Sequence, residues 1–422
     1  MAAVLTLDPR GGHPDFLDLP WSEPLDSWDH PRVVRMARGE SRHVVRFVEY
    51  GDRVYALKET SPALARGEYR LLREMATDGL PVVEAVGVVT GRRKASGPEL
   101  PAMLITRYLD YALPYQYLFG LSDGPELWGK LIDAGVLLLV RLHLEGVFWG
   151  DCSLANTLFR RDAGALMAYL VDAETAQRHD LPLGPGLRSH DLEIAVENIA
   201  GGLLDLQAAR RMRPEVDPIA AVALLEQRYH ELWTELTAPD EVGSDERHRI
   251  EERIRRLNEL GFDVEELVLE ETDEGGHRLR IQPVLVEEGH HARELARRTG
   301  LQVQENQARR LLNDITAYRS WLERAGGRPV PEAVGAARWL GEVYEPLIAE
   351  IPPDLTGRRE PPEAFHELLE HRWFLSEREG REVSNEEALA DYVTNELASR
   401  PSERTVLGGE AVRLERGARR DG

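Results

Sequence analysis

Between Gly146 and Ala176 the chain reads GVFWGDCSLANTLFRRDAGALMAYLVDAETA. Asp151 is followed five residues later by Asn156 within one short polar loop, and a second acid, Asp172, closes the apolar run MAYLV at 167–171. The run reads as a β-strand whose end aims Asp172, so the fold has to bring a loop carboxylate, a loop amide and a strand-end carboxylate to bear together.

Transfer of a phosphoryl group needs an acid that orients the attacking hydroxyl, an amide oxygen for Mg²⁺, and a carboxylate that chelates Mg²⁺ against the phosphates. Asp151, Asn156 and Asp172 supply one of each, in that order. The competing reading is a polar loop in which acids and amides merely crowd, and the upstream sequence is what bears on the choice.

The strand pattern begins after residue 30. PRVVRMA, VVRFVEY and RVYALKE alternate β-branched and aromatic residues, and Gly51-Asp52 between the last two predicts a tight hairpin, giving three antiparallel strands. The third ends at Lys58. An amphipathic helix follows from about Ala63 to Thr77, with Leu71, Leu72 and Met75 on its apolar side. Glu68 is the helix carboxylate expected to face Lys58. Glu74 is the rival, but six positions is about 240° around a helix, so both cannot face one lysine. Lysine occurs only at 58, 94 and 130, which raises the interest of Lys58, although an edge-strand lysine whose stem covers apolar surface is the plain alternative. The turn Arg38-Gly39-Glu40-Ser41-Arg42-His43 lies where backbone amides, with Gly39 and Ser41, would cover phosphates; an ordinary hairpin turn accounts for it equally well. After Gly79-Leu80-Pro81, PVVEAVGVV and PAMLITRYL read as two further strands, and Glu126 to Glu145 as a long helix apolar enough for burial.

This order of strand lysine, helix glutamate, Asp-x₄-Asn loop and strand aspartate resembles the protein-kinase-like superfamily, and its layout over residues 31 to 205 is similar to the lipopolysaccharide kinase (Kdo/WaaP-like) family. The resemblance implies an α+β, two-lobed protein-kinase-like fold: a small lobe at 31–107 and a large lobe at 108–236, after an N-terminal tail at 1–30. It implies ATP and Mg²⁺ as cofactors, with Lys58 held by Glu68 against the phosphates, Asn156 and Asp172 as metal ligands and Asp151 as catalytic base. Backbone groups of 105–109 would then meet adenine. Two departures stand out: Trp149-Gly150-Asp151 replaces the usual His-Arg-Asp or His-Gly-Asp, and Asp172 is followed by Ala173-Glu174 in place of Phe-Gly. The helix from Ser189 opens near Asp191, which is expected to cap it or to brace the catalytic loop, capping being the commoner role.

The second half is different in kind. Helical periodicity at 217–237, 247–260, 290–299, 304–324 and 360–397, with two short strands around VEELVLEE and HRLRIQP, predicts an additional mainly helical domain at 240–400 and a disordered basic tail at 401–422. Its ENQARRLLND and HRWFLSE segments resemble an uncharacterised bacterial domain found behind lipopolysaccharide-kinase-like domains. His366 and His371 lie five apart, about 140° around a helix, which argues against a shared metal. His290-His291 read as exposed helix-start residues, and Cys152 as a packed thiol.

At 422 residues the chain has material for two or three domains. Its 74 acids against 52 bases give a net charge of −22, which disfavours nucleic acid and anionic membranes as partners. The most apolar run, Ala134 to Leu144, is far shorter than a membrane span, and a lone cysteine fits a reduced, cytoplasmic setting. The expected function is an ATP-dependent phosphotransferase acting on a hydroxyl of a saccharide or small molecule. The alternatives are a nucleotide-binding pseudokinase or scaffold whose C-terminal domain binds a protein partner, and transfer of another part of the nucleotide by the same site.

Overall fold

A computed structural model describes residues 4–8, 11–36, 42–94, 97–115, 118, 125–212, 216–237, 240–243, 264–271, 278–285 and 289–404. The expected helix at 247–260 and most of the tail at 401–422 lie outside these, as do Gly39 and Ser41. The chain forms two compact units, one of residues 1–160, 168–229 and 405–422, the other of 161–167 and 230–404.

The first unit opens with a six-stranded antiparallel sheet: β1 (Val4–Leu7), β2 (Val33–Val34), β3 (Val45–Tyr50), β4 (Arg53–Thr60), β5 (Ala85–Thr90) and β6 (Ala102–Arg107), in the order β1-β5-β6-β4-β3-β2. Gly51, at φ +66°, makes the β3–β4 turn that the Gly51-Asp52 pair predicts, and sets Val45 opposite Lys58. Residues 4–28, read from the sequence as a tail, supply the edge strand β1 and the core residues Phe16, Leu25 and Trp28, packed on Tyr55, Leu57, Val86 and Met103. Their Pro- and Gly-rich composition conceals this because the contacts are made residue by residue rather than by a periodic face. Gly87 lets β1 in: a Cβ there would stand 2.7 Å from both Leu7 Cδ2 and the Thr6 carbonyl oxygen. Buried Arg92 bonds Glu59 at 2.8 Å and the carbonyl of Trp21 at 3.1 Å, fastening the same segment to the sheet.

Helix α1 (Pro62–Thr77) crosses from the end of β4. Ser61 caps it by accepting from Leu64 N–H at 3.3 Å, Pro62 starts it, and Ala65, Glu68, Leu72 and Met75 form its buried face. Asp78-Gly79 ends it, Gly79 at φ +82°. Two backbone bonds then join the α1–β5 connection to a later strand, Val83 N–H to Leu170 C=O at 3.1 Å and Leu170 N–H to Pro81 C=O at 2.9 Å.

The rest of the first unit is built on α2 (Pro125–Leu144), after the short β7 (Leu113–Pro114). Ile132, Val136, Leu138, Leu139, Val140 and Leu142 bury it on several sides, as an evenly apolar helix requires. Then come β8 (Val147–Phe148), the hairpin strands β9 (Thr157–Asp162) and β10 (Ala165–Leu170), β11 (Gln177–Arg178) and α3 (Pro185–Ala208). The sheets are β10-β9-β7 and β11-β8. Helix α4 (Pro218–Thr237) contains the division between the units.

In the second unit, β12 (Asp240–Gly243), β13 (Val264–Glu271) and β14 (Arg278–Leu285) pair in the order β12-β14-β13. Helices α5 (His290–Thr299), α6 (Glu305–Gly326), α7 (Glu332–Trp339), α8 (Glu345–Ala349), α9 (Pro361–Glu379) and α10 (Asn385–Asp391) enclose a core around Leu311, Trp339, Leu347, Phe365 and Leu389. The β9–β10 tip belongs to this unit. Asp162 accepts from the N–H groups of Asn306 at 3.2 Å and Gln307 at 2.8 Å, at the start of α6, and Glu363 accepts from Ala163 N–H at 2.8 Å. Glu403, inside the stretch read as a tail, is buried and paired with Arg161 at 3.1 Å and Arg359 at 2.9 Å. His291 is half-buried against Glu305 at 2.7 Å, and His371 pairs with Asp391 at 2.7 Å rather than with His366.

Candidate functional site

Lys58, Glu68 and Asp172 meet. Lys58 Nζ donates to Glu68 Oε2 at 3.0 Å and to Asp172 Oδ2 at 2.8 Å, and lies 3.2 Å from Glu174. Glu74, the rival, is exposed, while Glu68 is 3% exposed. The two backbone bonds between Leu170 and the α1–β5 connection carry the end of β10 up to β4 and α1, and so bring Asp172 to Lys58. A further bond from Ala173 N–H to Glu68 Oε1 at 3.2 Å ties the strand end to the helix.

Burial opposes the charge of Lys58, but the carboxylates of Glu68 and Asp172 outweigh it and hold its pKa above the usual lysine value. Burial, and then the charge of Asp172, push Glu68 up to about 7 despite Lys58. Burial acts on Asp172 too, yet Lys58 dominates together with the Glu174 N–H, and its carboxyl falls below the ordinary range. Asp172 is thus the firmly ionised member of the pair of acids.

Asp151 and Asn156 form the other wall. Asn156 Nδ2 donates to the Asp151 carbonyl at 3.0 Å and carboxylate at 3.1 Å, which commits the nitrogen and leaves the amide oxygen as the end available to a cation. Its own carbonyl accepts from Val171 N–H at 3.0 Å, so the loop is stitched to the strand that delivers Asp172. Lys58, Glu68, Asp151, Asn156 and Asp172 line one cavity of about 290 Å³, with Thr106 near the end of β6 and Tyr108 and Leu109 just after it. Among the described residues, Glu68, Asp172 and Glu174 form a cluster whose carboxylate oxygens lie within 4.8 Å of one another.

Asp191 braces the loop that carries Asp151 and does not cap α3, whose N-cap is Gly184. Fully buried, it accepts from Trp149 N–H at 2.6 Å, Gly150 N–H at 2.8 Å and His143 Nε2 at 3.1 Å. The commoner role gives way because Asp191 lies well inside the helix, where its carboxylate faces the loop. His143 Nδ1 accepts from Tyr229 Oη at 2.6 Å, and burial lowers its pKa, so it braces as a neutral ring. Trp149 contributes its own bond, indole Nε1 to the Asp172 carbonyl at 3.1 Å, linking the loop to the turn that holds Asp172. Gly150, at φ +73°, is the turn itself; a Cβ there would lie 2.8 Å from the Phe148 ring.

Four side chains at the site are not singled out from the sequence, although Arg42 and His43 lie in the turn read as covering phosphates: Asn198, which donates to Asp151 Oδ1 at 3.2 Å; Arg42, 3.2 Å from Asp151 Oδ2; His43, 2.7 Å from Glu174; and Glu174. Asn198 lies seven residues after Asp191 on the same helix, a two-turn spacing that puts both toward the loop, and is the one a periodicity argument had a means of finding.

The fold is mixed α/β with a helical C-terminal region. The family described as "Domain of unknown function (DUF4032)" matches residues 231–397. No curated protein matches the chain. Among solved structures, one titled "WaaP in complex with acyl carrier protein" is similar at 21% identity and a TM-score of 0.30, over 47% of this chain and 89% of its own. No described helix is long and apolar enough to cross a membrane.

Proposed function

We propose that the chain is an ATP-dependent phosphotransferase with a two-lobed, protein-kinase-like arrangement, its small lobe at 31–107 and its large lobe at 108–236. The observation that carries the reading is the pairing of Lys58 with both Glu68 and Asp172, in the cavity that Asp151 and Asn156 also line. Lys58, oriented by Glu68, binds nucleotide phosphates. Asp172 and the amide oxygen of Asn156 would hold Mg²⁺; a carboxylate and an amide oxygen are the hard donors this ion takes, and a carboxylate oxygen of Glu174 lies within 4.8 Å of one of Asp172. Bound Mg²⁺ neutralises charge on the phosphates. Asp151 accepts a hydrogen bond from the acceptor hydroxyl, on a saccharide or small molecule, and orients it for in-line attack. Positioning and fixed charge supply most of the rate.

Mass spectrometry of metabolites incubated with the protein and labelled ATP tests this, and distinguishes phosphoryl from adenylyl transfer. Asp151→Ala is expected to retain nucleotide binding and abolish transfer; equal turnover by that variant sinks the mechanism.

A second reading, a nucleotide-binding scaffold that recruits a protein through its C-terminal unit, draws on the exposed Trp321, Trp373 and Phe374. It gains if Mg-ATP raises Tm while no acceptor is modified across a broad panel.

A further inference from the structure

Three side chains already donate to the Asp151 carboxylate, and both lone-pair sites of Oδ2 are taken. Oδ1 accepts from Asn198 at 3.2 Å, while Oδ2 accepts from Asn156 at 3.1 Å and from Arg42 at 3.2 Å. The two amides are fixed by second bonds, Asn198 to the Cys152 carbonyl at 3.2 Å and Asn156 to the Asp151 carbonyl at 3.0 Å. Arg42 is different. It comes from the segment between β2 and β3, on the opposite wall of the cavity, and its side chain is 79% exposed. An ion pair with one end so open to water is weakly held and easily exchanged. The next residue, His43, reaches Glu174, which in turn approaches Lys58, so the backbone at 42–43 is held over the place where Lys58 would meet phosphates.

We propose that Arg42 is a phosphate-binding residue that leaves Asp151 when a nucleoside triphosphate enters. The inference rests on the phosphotransferase reading and deepens it. A guanidinium favours phosphate oxygens, which it can engage through two N–H groups at once, and a triphosphate carries several negative charges against the single one of Asp151. Departure of Arg42 uncovers Oδ2 at the moment the phosphates are in place, so the acceptor hydroxyl reaches Asp151 only after the nucleotide. Binding is therefore ordered, nucleotide first. Arg42 and the positively charged Lys58 together take the part that a glycine-rich loop's backbone would otherwise play.

The test measures binding of a non-hydrolysable ATP analogue with Mg²⁺, and of adenosine, to the full chain as wild type, Arg42→Gln, Arg42→Lys, Asp151→Asn and the Arg42→Gln/Asp151→Asn double variant. Arg42→Gln should weaken analogue binding by roughly tenfold to a hundredfold, the range of a charge-assisted bond, and leave adenosine binding unchanged. Arg42→Lys should restore part of it. Asp151→Asn should tighten analogue binding in the wild-type background, because Arg42 no longer has to be released, and should do so less or not at all beside Arg42→Gln. Equal analogue affinity in wild type and Arg42→Gln, or the same gain from Asp151→Asn in both backgrounds, overturns the inference while leaving the phosphotransferase reading in place. A wild-type protein that binds neither probe overturns both.

Discussion

Lys58 and Asp172, 114 residues apart in the chain, meet at 2.8 Å, and Glu68 holds the lysine from the other side at 3.0 Å. One cation serves three carboxylates, the third being that of Glu174 at 3.2 Å, and Glu68 and Asp172 are shifted in opposite directions. That imbalance makes the site sensitive to charge removal and to pH.

Lys58→Met leaves Glu68 and Asp172 facing each other without a cation. Lys58 is 12% exposed, so breaking the cluster should cost about 3 kcal/mol, somewhat less where Glu68 can take up a proton. Urea denaturation should therefore show a larger loss at pH 8 than at pH 5.5, together with loss of nucleotide binding. A loss independent of pH contradicts this account of the cluster.

The Glu68 carboxyl, raised from 4.5 to about 7, binds its proton more tightly in the folded state than in the unfolded one. Its contribution therefore favours folding fully below pH 4.5 and is lost as pH rises through 7. Asp172 is shifted down and Lys58 up, so their contributions change at more acid and more alkaline pH, outside that window. The stability of wild type minus that of Glu68→Gln should fall between pH 4.5 and 7 and level off above, whereas Glu74→Gln, on an exposed side chain, should track wild type. A flat difference would count against a buried, protonatable Glu68.

Asp191→Ala strips a shared acceptor from two backbone N–H groups and a histidine, all of them in or beside the loop that carries Asp151. Orphaning such donors should cost about 3 kcal/mol or more. Transfer should drop by at least about a hundredfold even well below the melting temperature, since displacement of a positioning group by an ångström has that effect. Asp191→Asn, which keeps an acceptor oxygen, should be intermediate in both. Wild-type activity in the alanine variant would show that the loop holds its shape without the brace.

Gly150→Ala tests the turn. A side chain at φ +73° with its Cβ 2.8 Å from the Phe148 ring should cost about 1–3 kcal/mol and misplace Asp151, lowering turnover more than nucleotide affinity. Stability from denaturant melts and the split between kcat and KM read the two effects separately.

Cys152 adjoins Asp151 but is buried, and burial pushes its thiol well above the usual range. As the chain's single cysteine, it should react with a thiol reagent slowly in the native protein and fully in denaturant. Rapid native labelling would mean that the loop opens more readily than its hydrogen bonds indicate.

Much of the arrangement is legible in the sequence where local pattern and chemistry agree. The Gly51-Asp52 turn sets the register that presents Lys58, and the i, i+3, i+7 positions Ala65, Glu68 and Leu72 share the buried face that excludes Glu74. Asp191 was ambiguous for a physical reason: a carboxylate near a helix start serves equally well as a cap or as an acceptor for a neighbouring loop, and only the position of residues 149–150 decides. Trp149 looked like a missing support because a histidine was expected at that place; the support comes instead from His143, six residues earlier, while the indole takes up a different bond. Arg42 and Glu174 find their partners across long sequence separations or across the cavity, and no periodicity reports that; the two-turn step from Asp191 to Asn198 is the exception. β1 is hidden for a related reason, since a four-residue edge strand has too few alternations to register.

The tip of the β9–β10 hairpin is counted with the second unit, so that unit is discontinuous in the chain. A fragment beginning at residue 230 would lack Arg161, Asp162 and Ala163, stranding the N–H groups of Asn306 and Gln307 and taking one partner each from Glu363 and Glu403, which keep Gln307 and Arg359. Cloning the DUF4032 region by its linear boundaries therefore removes part of its own interior. A soluble, well-behaved excision would need those seven residues grafted back, for instance as a tethered or synthetic peptide added in trans.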